Sequence, residues 1–391
     1  MHCNTYLPVE LQIGEQIWQQ MSALYAQCAT LADPRGRRGR RYQLAWLLIL
    51  TVIAKLAGQH TPQAIARWVR LRWGPLQVHL EIAAPRAPSA QTFRRVWAFT
   101  IAAETFEAWV SRYLDRVLEP TGSSETLALD GKILCGCTDP EHADQQVTVV
   151  AVYDLDHERV LKQVLVRPGE NEIPAAARAL QGLDLQGKVV LADALHTQRA
   201  LAVHIGAHGG DYLFRVKGNQ PQLLADIAAA FEPSPLAPGH NAPPLTCTQA
   251  QTDTVAHGRI EQRTLTTTAE LREYLDWPGA CQVFKLVRSR RERSASTASL
   301  TITYGITSLP PERAPAAEIL RLVRRYWGIE SHLHYPRDVF LDEDATQMSV
   351  PAQGLNWATL NTLILGLARL SRTPSLPAFL ALMSAYLARL F

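Results

Sequence analysis

The stretch RRYWGIESHLHYPRD, residues 324–338, decides how the chain is read. Taken as a helix with the residues before it, it places Ile319, Leu322, Val323, Tyr326 and Leu333 at spacings of three and four, which is one apolar stripe. Glu330 falls inside that stripe. It lies eleven residues beyond Ile319, hence only about 20° away at about 100° per residue. Arg321, Arg324, Arg325 and His332 take the opposite side. A Glu at the edge of an apolar face can reach water with its stem. One centred on the stripe needs a cation, a metal or a cleft, because burying an unpaired carboxylate is costly. The helix alone does not choose among these.

The bulk properties narrow the classes. At 391 residues the chain is long enough for two or three domains and a full hydrophobic core. Its 47% hydrophobic content excludes a disordered protein. A net charge of +3 does not by itself demand nucleic acid, but the arginines cluster. RGRRGRR, residues 35–41, holds five in seven, and RSRRER, residues 288–293, holds four in six. Either run alone is explained by a solvated loop; two of them point to phosphate contact. The six cysteines are scattered, with only Cys135 and Cys137 close, so reduced thiols in a cytoplasmic protein are expected. No signal peptide is visible. LAWLLILTVIAKLAG, residues 44–58, is interrupted by Lys55 and too short for a membrane span, so it reads as a buried core helix.

Residues 1 to about 120 read as helical. Thr61 caps a helix with Pro62 in its first position, and Ser89 caps another. Successive short helices bearing Arg67, Arg70, Arg72, Arg94 and Arg95 suit either a plain bundle or a helix-turn-helix DNA reader. EPTGSSE, residues 119–125, is a linker by composition. The texture then changes. TLALD, residues 126–130, is a short apolar strand ending on Asp130. Residues 146–155 and 159–168 form a predicted antiparallel hairpin around a polar turn. A helix over 173–183 leads to KVVLAD, residues 188–193, a buried strand again ending on an Asp. A helix over 197–207, a strand over 211–218 and a helix over 221–231 follow. Residues 232 to about 245 look like a loop, and 246–310 are β-like. The predicted organisation is thus a helical segment over 1–120, a catalytic core begun over 121–231, a β-rich insertion over 232–310, and completion of the core over 311–391.

In α/β sheets, active groups gather at strand ends. Two aspartates at the ends of neighbouring strands and a Glu on a helix laid over them make a three-carboxylate pocket. Three like charges there repel and raise one another's pKa, and divalent cations resolve the conflict. Two Mg²⁺ ions about 3.5–4 Å apart activate an attacking oxygen and stabilise a leaving one at phosphorus. Each Asp also has an ordinary reading: Asp130-Gly131 as a turn, Asp193 as a helix cap. His332 and His334, two residues apart on a helix, face different ways and do not suggest a zinc pair. Trp277 suits either a core position or a base-stacking one.

LALDGKILCGC, VVLADALHTQ, YLFRVKGNQPQLL and RRYWGIESHLHYPRDVFLDEDAT resemble the signature blocks of DDE transposases from bacterial insertion sequences, in particular the ISAs-type, H-repeat-associated group. Residues 33–68 and PSAQTFRRV, residues 88–96, are similar to the helical region preceding the catalytic part of that group. The resemblance implies an α/β, RNase H-like mixed sheet flanked by helices, with a β-rich insertion and an N-terminal helical domain. It implies Asp130, Asp193 and Glu330 as catalytic and metal-binding residues, two Mg²⁺ ions with Mn²⁺ as a substitute, and double-stranded DNA as partner, bound by a homodimer. Expected DNA contacts are Arg35, Arg37, Arg38, Arg40, Arg41, Lys217, Asn219, Arg324, Tyr326 and Arg337. Pro336 is expected to interrupt the helix. The implied activity is cleavage at element ends and strand transfer into target DNA, in the bacterial cytoplasm at the nucleoid. A nuclease without strand transfer shares every carboxylate, and an inactivated or domesticated DNA-binding copy shares the fold.

Overall fold

The computed structural model describes residues 9–391 except 119–121, 123, 143, 233–244, 257 and 293–296. Much of the linker expected over 119–125, most of the loop expected after residue 232, and His257 and Arg293 lie outside the described residues. The chain opens with helices α1 (Val9–Cys28), α2 (Leu44–Leu56), α3 (Pro62–Leu71), α4 (Trp73–Leu80), α5 (Ala90–Arg95) and α6 (Ala103–Leu118). Thr61 and Ser89 accept from Ala64 N and Thr92 N, as their capping sequences require. The apolar stretch from residue 44 is α2, buried on all sides, with Lys55 inside the core over the Trp357 ring. Burial lowers the Lys55 ammonium to about 7 against the pull of Glu343 and Asp342. Among the described residues no helix is long and apolar enough to cross a membrane.

The strands are β1 (Thr126–Ile133), β2 (Thr148–Asp154), β3 (Arg159–Leu165), β4 (Val189–Ala192), β5 (Asp211–Val216), β6 (Thr248–Ala256), β7 (Arg259–Thr268), β8 (Gln282–Glu292) and β9 (Ser299–Thr307). They form one sheet in the order β3-β2-β1-β4-β5-β9-β8-β7-β6. β1, β2 and β3 pair antiparallel, whereas β1, β4 and β5 pair parallel, a mixed core flanked by helices as expected. The β-rich stretch after residue 246 extends this sheet: β9 pairs antiparallel with β5, and β8, β7 and β6 add outward. Helices α7 (Glu172–Leu180), α8 (Arg199–Ala207) and α9 (Pro221–Ala230) cover one face. The other face meets α10 (Ala316–Arg325), α6 and α12 (Pro351–Leu370), while α11 (Tyr335–Val339) and α13 (Leu376–Leu390) complete the chain.

Alternation along the strands sorts the core into two layers. Leu127, Leu129, Val190 and Ala192 pack with α7 and α8. Ala128, Val189 and Leu191 pack with Ile319, Leu322, Val323, Ile329 and Leu333, so the stripe inferred from the sequence is the buried face of its helix. In α12 every residue from Gln353 to Ala368 is buried. Its two asparagines are used internally: Asn356 donates to Trp97 O and Ile101 O, and Asn361 to Glu343.

The helix after β9 differs from the single run expected. α10 passes through a turn at Tyr326 and Trp327 into a π-turn, Glu330–His334, and then α11. Pro336 does not interrupt it. Tyr335 stays right-handed helical at φ −55°, ψ −47°, and its N–H reaches Glu330 O. Pro336 has no N–H to offer His332 O, and that carbonyl accepts from Arg369 at 3.2 Å instead.

Arg337 corrects another expectation. It is 1% exposed and therefore closed to DNA. Its guanidinium grips Glu343 bidentately at 2.8 and 2.7 Å and donates to Gln163 Oε1 at 2.9 Å. Burial pushes the Glu343 carboxyl up, but the charge and hydrogen bonds of Arg337 and the Asn361 amide hold it below its ordinary value. Replacing Glu343 by Gln leaves a buried guanidinium without its counter-charge. The expected loss is about 3–5 kcal/mol of folding stability, read by denaturant unfolding. A loss under about 1 kcal/mol would show that the pair is not holding α11 to α12.

Candidate functional site

Register builds the site. In the parallel β1–β4 ladder Leu129 pairs with Ala192, so Asp130 and Asp193 stand one step further on neighbouring chains. Strand alternation turns both toward the layer that holds the Glu330 helix. Asp130 is not at the end of its strand, as TLALD suggested, nor in a turn: β1 runs on through Ile133, paired with β2. Asp193 does follow the last residue of β4. Its carboxylate accepts from Leu195 N at 3.0 Å and His196 N at 3.4 Å, so it caps the turn that precedes α8. Asn219 donates to Ala194 O at 2.6 Å and braces this loop.

The helix lies across β1. Arg325 donates to Thr126 Oγ1 and Asp156, and the Tyr326 hydroxyl donates at 3.4 Å to the carbonyl of Leu129, the residue before Asp130. Further along, His334 Nε2 sits 3.3 Å from Asp130 Oδ2. Glu330 is four residues after Tyr326 and four before His334, the latter beside Asp130. It is half-buried, and among the described residues no cation pairs with it. Glu330 thus lies on the helix whose apolar face covers the layer toward which both aspartates turn.

Sequence reasoning missed Glu172. It begins α7 behind the Asn171 cap, and its carboxylate rests against Gly131: a Cβ at Gly131 would stand 1.9 Å from Glu172 Oε2. His196 Nε2 lies 3.5 Å from the same oxygen. Burial, then the charges of Asp130 and Asp193, push the Glu172 carboxyl up to about 7. His196 and His334 are both buried, and all four of their ring nitrogens lack a hydrogen-bond partner. Burial lowers the His196 pKa against the pull of Asp193 and Asp130. Burial and the same two aspartates push the Tyr326 phenol far up, so it keeps its proton. Only the strand order, which starts α7 at this end of the sheet, marks Glu172 in the sequence. Lys132, also missed, sits 2.8 Å from Asp338 and 3.3 Å from Asp344. It ties the DGK block to the DEDAT block, and Gly136 allows the close approach because a Cβ there would stand 2.3 Å from Thr346 O.

The donor set fits a hard divalent ion. Its oxygens are carboxylates, and among the described residues no lysine or arginine pairs with Asp130, Asp193, Glu172 or Glu330. Among the same residues no three His, Cys, Asp or Glu side chains close into a cage for an ion. An open arrangement suits Mg²⁺, which keeps waters and substrate oxygens around one or two carboxylates.

The remaining expected contacts divide. Arg37, Arg38, Arg41, Lys217 and Arg324 are exposed. Arg35 is turned inward, bidentate to Asp33 and donating to Tyr42 O, and Arg40 folds back on Arg35 O and Asp33 O. Arg35 thus builds the loop, whereas Arg40 donates to it and remains exposed. His332 is exposed and His334 buried, on different sides as expected. Trp277 is a core residue at 7% exposure.

Without metal, Glu172 makes stability depend on pH. Its folded pKa lies above the unfolded one, so the folded state holds the extra proton between about pH 4.5 and about pH 7, and stability falls as pH rises through that window. In EDTA the wild type should lose on the order of 3 kcal/mol more than Glu172→Gln between pH 5 and pH 8. Parallel unfolding curves for the two proteins would contradict this.

The model of the "Transposase DDE domain" matches residues 121–364, and that of the "DDE_Tnp_1-associated" region matches residues 26–114. The "Uncharacterized protein in dhlA 3'region" of Xanthobacter autotrophicus is 31% identical over 67% of this chain and 86% of its own length. "H repeat-associated putative transposase YhhI" of Escherichia coli is 25% identical over 83% of this chain and 84% of its own. A solved piggyBac transposase synaptic complex with hairpin DNA aligns with 99% of this chain and 82% of that chain, at TM-score 0.45 and 10% identity. With the domain model spanning most of the chain, this protein belongs to the DDE transposase family.

Proposed function

We propose that the chain is the transposase of a bacterial insertion sequence, cutting DNA at the element ends and joining the freed 3′ ends to target DNA. The observation that carries this reading is the register of β1 on β4, which sets Asp130 beside Asp193 under the helix bearing Glu330. In this reading Asp130, Asp193 and Glu330 hold divalent cations, Mg²⁺ or Mn²⁺. Such ions supply polarisation of the phosphoryl oxygens and an activated attacking oxygen. The chain itself positions the backbone, holds the three carboxylates at one end of the sheet and keeps the Tyr326 proton in place beside Asp130.

The basic surface supports a DNA partner. A cleft of about 460 Å³ lies between α10 and β6, lined by Arg321, Arg324 and Arg325 with Thr252, Ala317 and Leu320. Across the neighbouring β7–β8 ladder Arg263 stands directly opposite Arg288, a pairing that costs energy unless negative charge answers it. Glu261 answers part, at 2.8 Å from Arg263 and 3.6 Å from Arg288. A phosphate backbone running along this cleft toward Asp130 would answer the rest. Arg37, Arg38 and Arg41 offer a second contact, and a homodimer would hold both element ends.

The decisive test is cleavage of DNA carrying the element end by wild type and by Glu330→Gln with Mg²⁺. Cleavage should fall by more than about 100-fold, beyond the loss expected for an outer-sphere partner, with DNA binding retained. Equal cutting by the variant would refute the role of Glu330. Strand transfer from pre-cleaved ends separates a transposase from a simple nuclease; no transfer at any Mg²⁺ or Mn²⁺ concentration would leave only hydrolysis. Replacing Arg324 by Ala should weaken binding to all sequences alike and reduce the salt slope by roughly one, measured by titration at several salt concentrations. An unchanged slope would take DNA out of the α10 cleft.

A further inference from the structure

We infer that Glu172 is a fourth carboxylate of the cation site, an oxygen ligand reaching the ion from the α7 side while Asp130 and Asp193 reach it from the strands. The inference rests on the site proposed above and adds a ligand to it. Three observations carry it. The Glu172 carboxylate is pressed against the backbone of Gly131, the residue after Asp130, at a position where any side chain would displace it. Among the described residues no lysine or arginine pairs with it, and the charges of Asp130 and Asp193 act on it, so the fold concentrates negative charge it does not neutralise. Two buried imidazoles aim into the same cluster without a hydrogen-bond partner. His196 is 1% exposed, with Nε2 3.5 Å from Glu172 Oε2. His334 is 4% exposed, with Nε2 3.3 Å from Asp130 Oδ2. Buried polar groups left unpaired are costly, and such groups turned toward a site mark what the site is built to receive. Carboxylates ligating an ion draw together and reorient, and imidazoles behind them then gain aligned partners. This is the usual outer layer of a metal centre. A divalent ion also removes the repulsion among Glu172, Asp130 and Asp193.

The test is Mn²⁺ binding by the full-length protein without DNA, followed by electron paramagnetic resonance of the free ion. Glu172→Gln should raise the Mn²⁺ Kd by about tenfold or more and leave the metal-free melting temperature equal or higher. Asp226→Asn, which removes a half-buried charge on α9, should change neither. A Glu172→Gln Kd within twofold of wild type, with binding lost in Asp130→Asn and Asp193→Asn, would overturn the role of Glu172 while the two-aspartate site stands. Wild-type affinity in all three variants, or no binding by wild type, would remove both. If Glu172→Gln does not fold, Gly131→Ala tests the same point, because its Cβ takes the space of the carboxylate. It should also weaken Mn²⁺ binding, and unchanged affinity there would overturn the inference.

Discussion

Parallel pairing of β1 with β4 fixes which side chains meet at the end of this sheet. With Leu129 beside Ala192, Asp130 and Asp193 lie on adjacent chains, and strand alternation turns both to one face. A slip of one residue on either strand would send one carboxylate to the α7 layer and an aliphatic side chain to the site. The register is held by what lies on both sides of it. Leu127, Leu129, Val190 and Ala192 fill one core, and Ala128, Val189 and Leu191 fill the other. Two-sided burial makes the pairing costly to shift, and the chemistry inherits that rigidity.

The helix above the sheet meets a second constraint. It keeps an apolar face on the core while carrying Glu330 at the start of a π-turn. The π-turn from Glu330 to His334 widens one turn; Ile329 and Leu333 are buried, and His334 lies 3.3 Å from Asp130. Such wide turns are rare in helices and recur at functional sites. The segment is anchored beyond the site by Arg337 and Glu343, a buried ion pair whose remaining hydrogen-bonding capacity is met by Gln163 and Asn361. Rigidity at α11 and α12 and electrostatic tension at the carboxylates are thus neighbours: one part of the structure has its charges matched, the other does not.

The contrast explains why arginines so similar in sequence differ in role. Arg337 has a full set of partners in the core, and Arg35 has one in its own loop. Arg324 and the Arg263–Arg288 pair are left with more positive charge than the protein answers. Surplus charge of one sign beside surplus charge of the other, carboxylates at the sheet end and arginines along the α10 cleft, suits a substrate that brings phosphates and metal ions together.

The sequence by itself determined the strand and helix order, the capped helices at Thr61 and Ser89, the buried helix from residue 44 and the apolar stripe around Glu330. Those features depend on local periodicity and on caps, which act over a few residues. Family blocks in the sequence also marked Asp130, Asp193 and Glu330 as a set. Only the tertiary structure decided which residues surround them. Glu172, His196 and Lys132 join the site or its border through strand order and helix placement, contacts between residues tens to hundreds of positions apart that leave no local pattern. The same holds for Arg337, whose spacing from Glu330 suggested a DNA contact and whose burial depends on Glu343, Gln163 and Asn361 meeting around it. Pro336 was misread because the rule for proline assumes a regular helix, and a π-turn with Arg369 supplying the missing donor satisfies the backbone another way.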